Sequence, residues 1–270
     1  MSSAKRSFRR RAATSATVTA STSKKKYLIE SKLCFELARS RSDTFAEYWQ
    51  KLRSDATGDM ERRMMDQLTT NYTFFCREEQ HFDFLRKRVI PALPPNRVRP
   101  FRIWSAGCAT GQECYTLAME LSDCQTTGTL QIPFSILGTD LSETAVSAAQ
   151  RGVYGSADYA RLPHSWQMRY CGDFQNGEFH VKESLREAVS FQRQNLMALP
   201  HQSSVYDLIF CRNVLIYFQD ADRIKLIAKL TDALTPGGYL MIGHTETLLS
   251  ISNSLQYIEP AIYRKPEASA

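Results

Sequence analysis

At 270 residues, 43% hydrophobic and 23% charged, the chain has the composition of a soluble globular protein, with room for one large α/β domain and a small companion. No apolar run approaches the roughly 18 residues of a membrane span, so insertion into a bilayer is not expected. The net charge of +6 would fit a polyanion binder, but residues 1–26 hold eight basic residues and no acid, which leaves the remainder at −2 and argues against a nucleic-acid-binding body.

Residues 1–26 are low in complexity and read as a disordered basic tail; they are Arg- and Ser-rich like a transit peptide but lack its apolar face. Residues 27–90 read as a helical domain. Phe45, Tyr48, Trp49 and Leu52 recur at helical spacing behind Asp43, an expected N-cap, and Met64, Met65 and Leu68 mark another helix after Gly58-Asp59. Thr69 to Glu79 is polar and aromatic with little periodicity, and His81-Phe82-Asp83-Phe84-Leu85 resumes a helix. Residues 91–100 carry Pro91, Pro94, Pro95 and Pro100, which forbids a helix and predicts a linker between domains.

From residue 101 to 270, strand and helix signals alternate, as expected of a mostly parallel, helix-covered sheet. Arg102 to Ala106 gives a first strand, a glycine loop and a helix from Gln112; Phe134 to Asp140 gives a second strand, with Ser142 capping the next helix. Between about 155 and 187 the alternation breaks, and Asn176-Gly177 between aromatic-rich runs predicts a small antiparallel insertion. Ala188 to Leu196, Val205 to Cys211 and Tyr239 to Gly243 supply three further strands, the last after an amphipathic helix from Ala221 to Leu234, and Leu255 to Arg264 closes the sheet antiparallel. Ligands of such sheets sit outside the carboxyl ends of the strands, which here carry Gly107, Asp140, Asn195, Asn213 and His244-Thr245-Glu246.

The loop Gly107-Cys108-Ala109-Thr110-Gly111-Gln112-Glu113 lacks the Gly-Lys-Ser/Thr of a P-loop, and Ala109 stands where a dinucleotide fingerprint needs its middle glycine. Glu113 at the helix start would repel phosphate and suits a cationic ligand. A phosphate-free nucleoside such as S-adenosylmethionine is therefore the expected ligand, with Asp140 facing ribose hydroxyls. The seven cysteines form no Cys-x-x-Cys pair and the five histidines show no ligand spacing, so reduced thiols and no metal site are expected.

Five motifs in order, Thr73-Phe74-Phe75-Cys76-Arg77-Glu78, the glycine loop, Gly138-Thr139-Asp140-Leu141-Ser142, Cys211-Arg212-Asn213-Val214-Leu215-Ile216-Tyr217-Phe218 and Gly243-His244-Thr245-Glu246-Thr247-Leu248, closely resemble the CheR-type chemotaxis receptor glutamate methyltransferases over residues 27 to 265. The resemblance implies a Rossmann-like, class I S-adenosylmethionine-dependent methyltransferase sheet of α/β class with a small antiparallel β insertion and an all-helical N-terminal domain. It implies a cytoplasmic, monomeric enzyme that methylates glutamates on the cytoplasmic helical bundle of methyl-accepting chemoreceptors, producing methyl esters and S-adenosylhomocysteine. Carried over by motif, cofactor contacts fall on Asn71, Thr73, Arg77, Gly107, Glu113, Asp140, Asn195, Leu196, Asn213 and Val214, with Arg77 and Tyr217 nearest the transferring methyl.

The chain departs from the family at Cys76, in place of a paired phenylalanine, and at Cys114, in place of a proline. The family's first N-terminal helix is not evident in residues 1–26. The hairpin between Tyr170 and Val181 is short, which implies docking that does not depend on a receptor pentapeptide. Arg39, Arg41, Lys51, Arg53, Arg62 and Arg63 face either the acidic methylation region or solvent. The competing readings are a nucleic-acid methyltransferase, against which no Asp/Asn-Pro-Pro-Tyr segment is present, and a non-catalytic cofactor-sensing scaffold.

Overall fold

The computed structural model describes residues 23–94, 96–249 and 254–267; the basic stretch 1–22 lies outside them. The chain divides into two compact units, residues 1–70 and 71–270.

In the first unit the helices span Ser23–Arg39, Phe45–Ser54 and Asp59–Leu68. The first begins inside the stretch expected to be a disordered tail. Thr44, one residue after the expected Asp43, caps the second helix: its hydroxyl accepts from Glu47 N at 3.2 Å, and the Glu47 carboxylate reaches back past the cap to accept from Asp43 N at 2.9 Å. Tyr48, Met64 and Met65 are buried, as their helical spacing requires. Several of the basic residues are engaged within the unit: Arg63 holds the buried Glu36 at 3.1 Å, Arg62 pairs with Asp59, and Lys51 Nζ donates to the carbonyls of Ser40 and Arg41.

The second unit begins at Asn71 rather than at the proline-rich stretch 91–100. The physical reason is packing: Phe75, Phe82, Leu85 and Val89 bury into the same apolar cluster as Phe101 and Ile103 of the first strand. The helix Gln80–Phe84 runs on as one π-helical turn, Leu85–Val89.

The strands of this unit are β1 (Phe101–Ala106), β2 (Phe134–Asp140), β3 (Val153–Gly155), β4 (Glu178–His180), β5 (Val189–Arg193), β6 (Tyr206–Cys211), β7 (Leu234–Ile242), β8 (Gln256–Glu259) and β9 (Ile262–Arg264). Seven of them form one sheet in the order β5-β2-β1-β6-β7-β9-β8. The pairs among β5, β2, β1, β6 and β7 are parallel, and β9 joins β7 and β8 antiparallel. All six residues of β6 are buried, as expected of a central parallel strand covered on both faces, including Asp207, whose carboxylate Arg97 and Arg99 hold.

β7 starts at Leu234, earlier than Tyr239, because Pro236-Gly237-Gly238 sits inside the strand where its pairing with β6 shifts register. In the insertion, β3 pairs antiparallel with β4, and the turn Asn176-Gly177, with φ of 53° and 81°, folds the short hairpin. All seven cysteines are free. No helix among the described residues is long and apolar enough to cross a membrane. The chain builds outward from β1 to β2 and β5, then crosses back to β6 and β7, so the switch point lies between β1 and β6.

Candidate cofactor and methyl-transfer site

At that switch point the loops after β1 and β6 meet. Gly107 has φ of 92°, and a Cβ there would lie 2.4 Å from Val214 Cγ2, so only glycine allows the two loops this approach. Gly107 N and Cys108 N both donate to Thr139 O, at 2.8 and 2.9 Å. Gly111, at φ of 95°, starts the helix Gln112–Thr126, whose face packs Tyr115, Leu117 and Leu121 into the core.

Asp140 ends β2 as expected, but its carboxylate also ties the loops together. Its Oδ2 accepts from Ala109 N and its Oδ1 from Ser142 N, each at 2.9 Å. Ala109 is thereby held at φ of 48°, a left-handed conformation that alanine seldom adopts.

Glu113 is not an open acid. Its Oε1 accepts from Ser105 Oγ at 2.7 Å and its Oε2 lies 3.1 Å from Arg212 Nη1. Arg212, whose side chain is 2% exposed, also pairs with Glu78 Oε2 at 3.2 Å and donates to the carbonyl of Arg77. Two carboxylates thus share one guanidinium, leaving one negative charge with little water to screen it. Burial pushes the Glu113 carboxyl above the ordinary range and nearby Glu78 adds to that, while Arg212 and Ser105 pull it back.

Arg77 lies between two residues of positive φ, Cys76 at 59° and Glu78 at 54°. Cys76 N donates to Thr116 Oγ1 at 3.2 Å, which fastens the segment to the helix Gln112–Thr126. The Arg77 guanidinium turns back to Tyr72 O at 3.1 Å. Asn71 and Thr73 lie half-buried on the approach to it. Eight non-glycine residues among those described have positive φ, and four of them, Cys76, Glu78, Ala109 and Asn213, belong to these few loops. Strain gathers where tertiary contacts over-determine the backbone, as at a functional site.

Asn213, at φ of 58°, has a buried Oδ1 without a protein partner, and its Nδ2 reaches Glu78 Oε1 at 3.5 Å. An orphaned buried acceptor beside a glycine cradle fits a polar ligand that donates a hydrogen bond. Asn195 spends its Oδ1 on Met197 N at 2.9 Å, capping the turn Leu196–Ala198, and the Leu196 side chain is buried in the core around Trp104. Tyr217, on the turn Leu215–Tyr217, is 60% exposed at the rim.

Two contributors, Arg212 and Glu78, were not assigned a role from the sequence, and Glu246, placed there at a ligand-facing strand end, takes a structural one. Arg212 and Glu78 form the ion array. Glu246 is buried, with Oε2 accepting from Gly243 N at 2.7 Å and Asn213 N at 3.0 Å, and Oε1 accepting from Ile216 N at 3.2 Å. Burial pushes its carboxyl up, opposed by these backbone donors. Glu246 therefore fixes the turn that presents Asn213 and Tyr217. For Arg212 the available signal was a charge directly after a buried strand, where it must find a partner.

His81 is wholly buried, and desolvation, with Arg212 and His244 adding to it, lowers its pKa to about 3, so the ring is neutral. Donor atoms of Glu78, His81 and His244 lie within 4.8 Å of one another. Glu78 Oε2 lies 3.5 Å from His81 Nδ1 and is already held by Arg212. This cluster reads as part of the polar floor.

The described geometry supplies a cradle for a phosphate-free, positively charged nucleoside. Residues 71–263 match the family model of the CheR methyltransferase S-adenosylmethionine-binding domain. The chain is 39% identical over 249 residues to a chemotaxis protein methyltransferase of Borreliella burgdorferi, covering 90% of this chain and 87% of that one. It is 32% identical over 241 residues to chemotaxis protein methyltransferase 1 of Pseudomonas aeruginosa, covering 88% of each. A solved S-adenosylmethionine-dependent methyltransferase from Mesorhizobium loti aligns at 21% identity over 57% of this chain and 50% of its own, with a TM-score of 0.31. With its cradle at the switch point, and with matches that span most of its length, the chain belongs to the CheR methyltransferase family and is an S-adenosylmethionine-dependent methyltransferase.

Proposed function

We propose that this protein methylates glutamate side chains of chemoreceptors in the cytoplasm, as a monomer, giving the methyl esters used in sensory adaptation. The observation that carries the reading is the Glu78–Arg212–Glu113 array beside the Gly107 cradle: its residual negative charge complements a sulfonium cofactor and opposes a phosphate-bearing one. When bound, S-adenosylmethionine supplies an electrophilic methyl group and leaves as S-adenosylhomocysteine.

In this reading Asp140 engages ribose hydroxyls, and Asn213 Oδ1 accepts from the cofactor. Asn71, Thr73, Asn195, Leu196 and Val214 complete its contacts. Arg77 receives the incoming carboxylate and the Tyr217 hydroxyl orients the reacting end. A glutamate with an unperturbed pKa of about 4.3 is already an anion at neutral pH, so no side chain needs to act as a general base. The protein's task is alignment and exclusion of water, and positioning of this kind can supply on the order of 7–11 kcal/mol. Residues 27–70 are the proposed receptor-facing part, and the short hairpin is proposed to leave docking independent of a receptor pentapeptide.

The test is a side-by-side incubation of receptor-bearing membranes and DNA with methyl-labelled cofactor. Label appearing on receptor bands and released by alkali is expected; label on DNA, or receptor label that survives alkali, overturns the proposal.

A further inference from the structure

Two guanidinium groups at the rim share one aromatic ring. The Phe74 centroid lies 4.3 Å from Arg161 Cζ and 5.7 Å from Arg77 Cζ, and the edge of Tyr72 approaches the same ring with centroids 5.9 Å apart. Arg161 belongs to the insertion, just after the short helix Ser156–Tyr159, where its N donates to Asp158 O at 3.1 Å. The Asp158 carboxylate accepts from Gln112 Nε2 at 3.4 Å. Neither Arg77 nor Arg161 has a carboxylate within salt-bridge distance among the described residues; the nearby Asp158 carboxylate feels the Arg161 charge but spends its hydrogen bond on Gln112.

Two cations held against one ring repel each other, and an exposed cation–π contact returns only about 0.5–1 kcal/mol each. The ring contacts leave both guanidiniums with N–H donors that an incoming anion can engage. Arg212, one loop away, shows the contrast, since its guanidinium is satisfied by two carboxylates of the chain itself. Arg77 is assigned to the acceptor carboxylate. Arg161 offers a second anion site within a side chain's reach of the first, on a different structural element.

We infer that Arg161 is a specificity-determining residue that binds a second acidic side chain of the substrate, close to the glutamate that is methylated. This rests on the glutamate-methylation reading. Its guanidinium selects the sequence context of the acceptor and takes no part in the transfer. Phe74 holds it at a fixed place on the rim.

The experiment measures alkali-released methanol from receptor-bearing membranes, with thermal melting and calorimetric affinity for S-adenosylmethionine as controls. Arg161→Ala is expected to raise the KM for receptor about tenfold, Arg161→Glu to raise it further, and Arg161→Lys to stay near the parent. The kcat at saturating receptor and the cofactor affinity stay unchanged, and the salt dependence of KM flattens in Arg161→Ala. An unchanged receptor KM in Arg161→Glu overturns the inference. So does an equal loss in Arg161→Ala and Arg161→Lys, or a loss that follows the melting temperature, since these mark a packing role. Absence of methanol from the unsubstituted protein instead removes the underlying methylation reading, and the inference falls with it.

Discussion

Arg212 and Arg77 are joined by a hydrogen bond, yet they belong to opposite kinds of surface. Arg212 has a side chain 2% exposed, bound to two carboxylates, and it cross-ties the segment around residue 78, the helix from Gln112 and the end of β6. Among the described residues Arg77 meets a carbonyl and a ring, and Tyr72, whose carbonyl it holds, is 69% exposed. The floor is made of groups that satisfy one another before any ligand arrives, which suits a small cofactor of constant shape. The rim leaves cations and aromatic rings open, which suits a macromolecular acceptor that must bind and leave.

Floor substitutions should therefore damage stability and cofactor binding together, while rim substitutions should damage turnover or receptor binding and leave both of those unchanged. The largest effect is expected for Arg212→Met, which strands Glu78 and Glu113 without their counter-charge; breaking a buried pair costs about 3–5 kcal/mol, visible as a lower melting temperature and lost cofactor binding. Glu246→Ala comes next. It leaves the N–H groups of Gly243, Asn213 and Ile216 without an acceptor, at about 1–3 kcal/mol for each one that water cannot reach, and it lowers kcat by loosening the Tyr217 turn. Equal stability of Glu246→Ala and the parent in urea titration would contradict that role.

Tyr217→Phe should leave melting unchanged, since the side chain is exposed, and reduce kcat by about tenfold or more without changing cofactor affinity. Full turnover at saturating cofactor would make Tyr217 a surface residue without a part in transfer.

The smallest effect is a pH dependence. Burial raises the Glu113 pKa above the ordinary carboxylate value, so its charge is lost on acidification earlier than for an exposed glutamate. Affinity for S-adenosylmethionine should weaken as pH falls toward that raised value, and Glu113→Gln should flatten this slope. The folding sign is opposite: a carboxyl whose folded pKa is raised stabilises the cofactor-free protein below its unfolded pKa and loses that contribution as pH rises through the folded value. Cofactor binding and cofactor-free stability should thus move in opposite directions with pH where Glu113 titrates.

Much of the floor's framework was legible because its signals are local. The glycines of the β1 loop, the acid ending β2 and the mostly apolar end of β6 each announce themselves within a few residues. The ties between them were not. Glu78, Glu113 and Arg212 meet only through the sheet's crossover, and no periodicity records an ion pair between such distant residues. Local reading put Asn195 and Asp140 at ligand-facing strand ends, where Asn195 also caps a turn and Asp140 also holds Ala109 in a strained conformation. The domain division escaped because prolines 91–100 look like a linker, while the segment before them is anchored by Phe75 and Phe82 to the core of the second unit.

The most direct test of the floor and rim division is calorimetric affinity for S-adenosylmethionine, without acceptor, across matched variants. Glu113→Gln and Glu78→Gln should each weaken binding about tenfold, the effect of roughly 1.4 kcal/mol, while Arg161→Ala and Tyr217→Phe should stay near the parent. A rim substitution that weakens cofactor binding as much as a floor substitution would contradict the account.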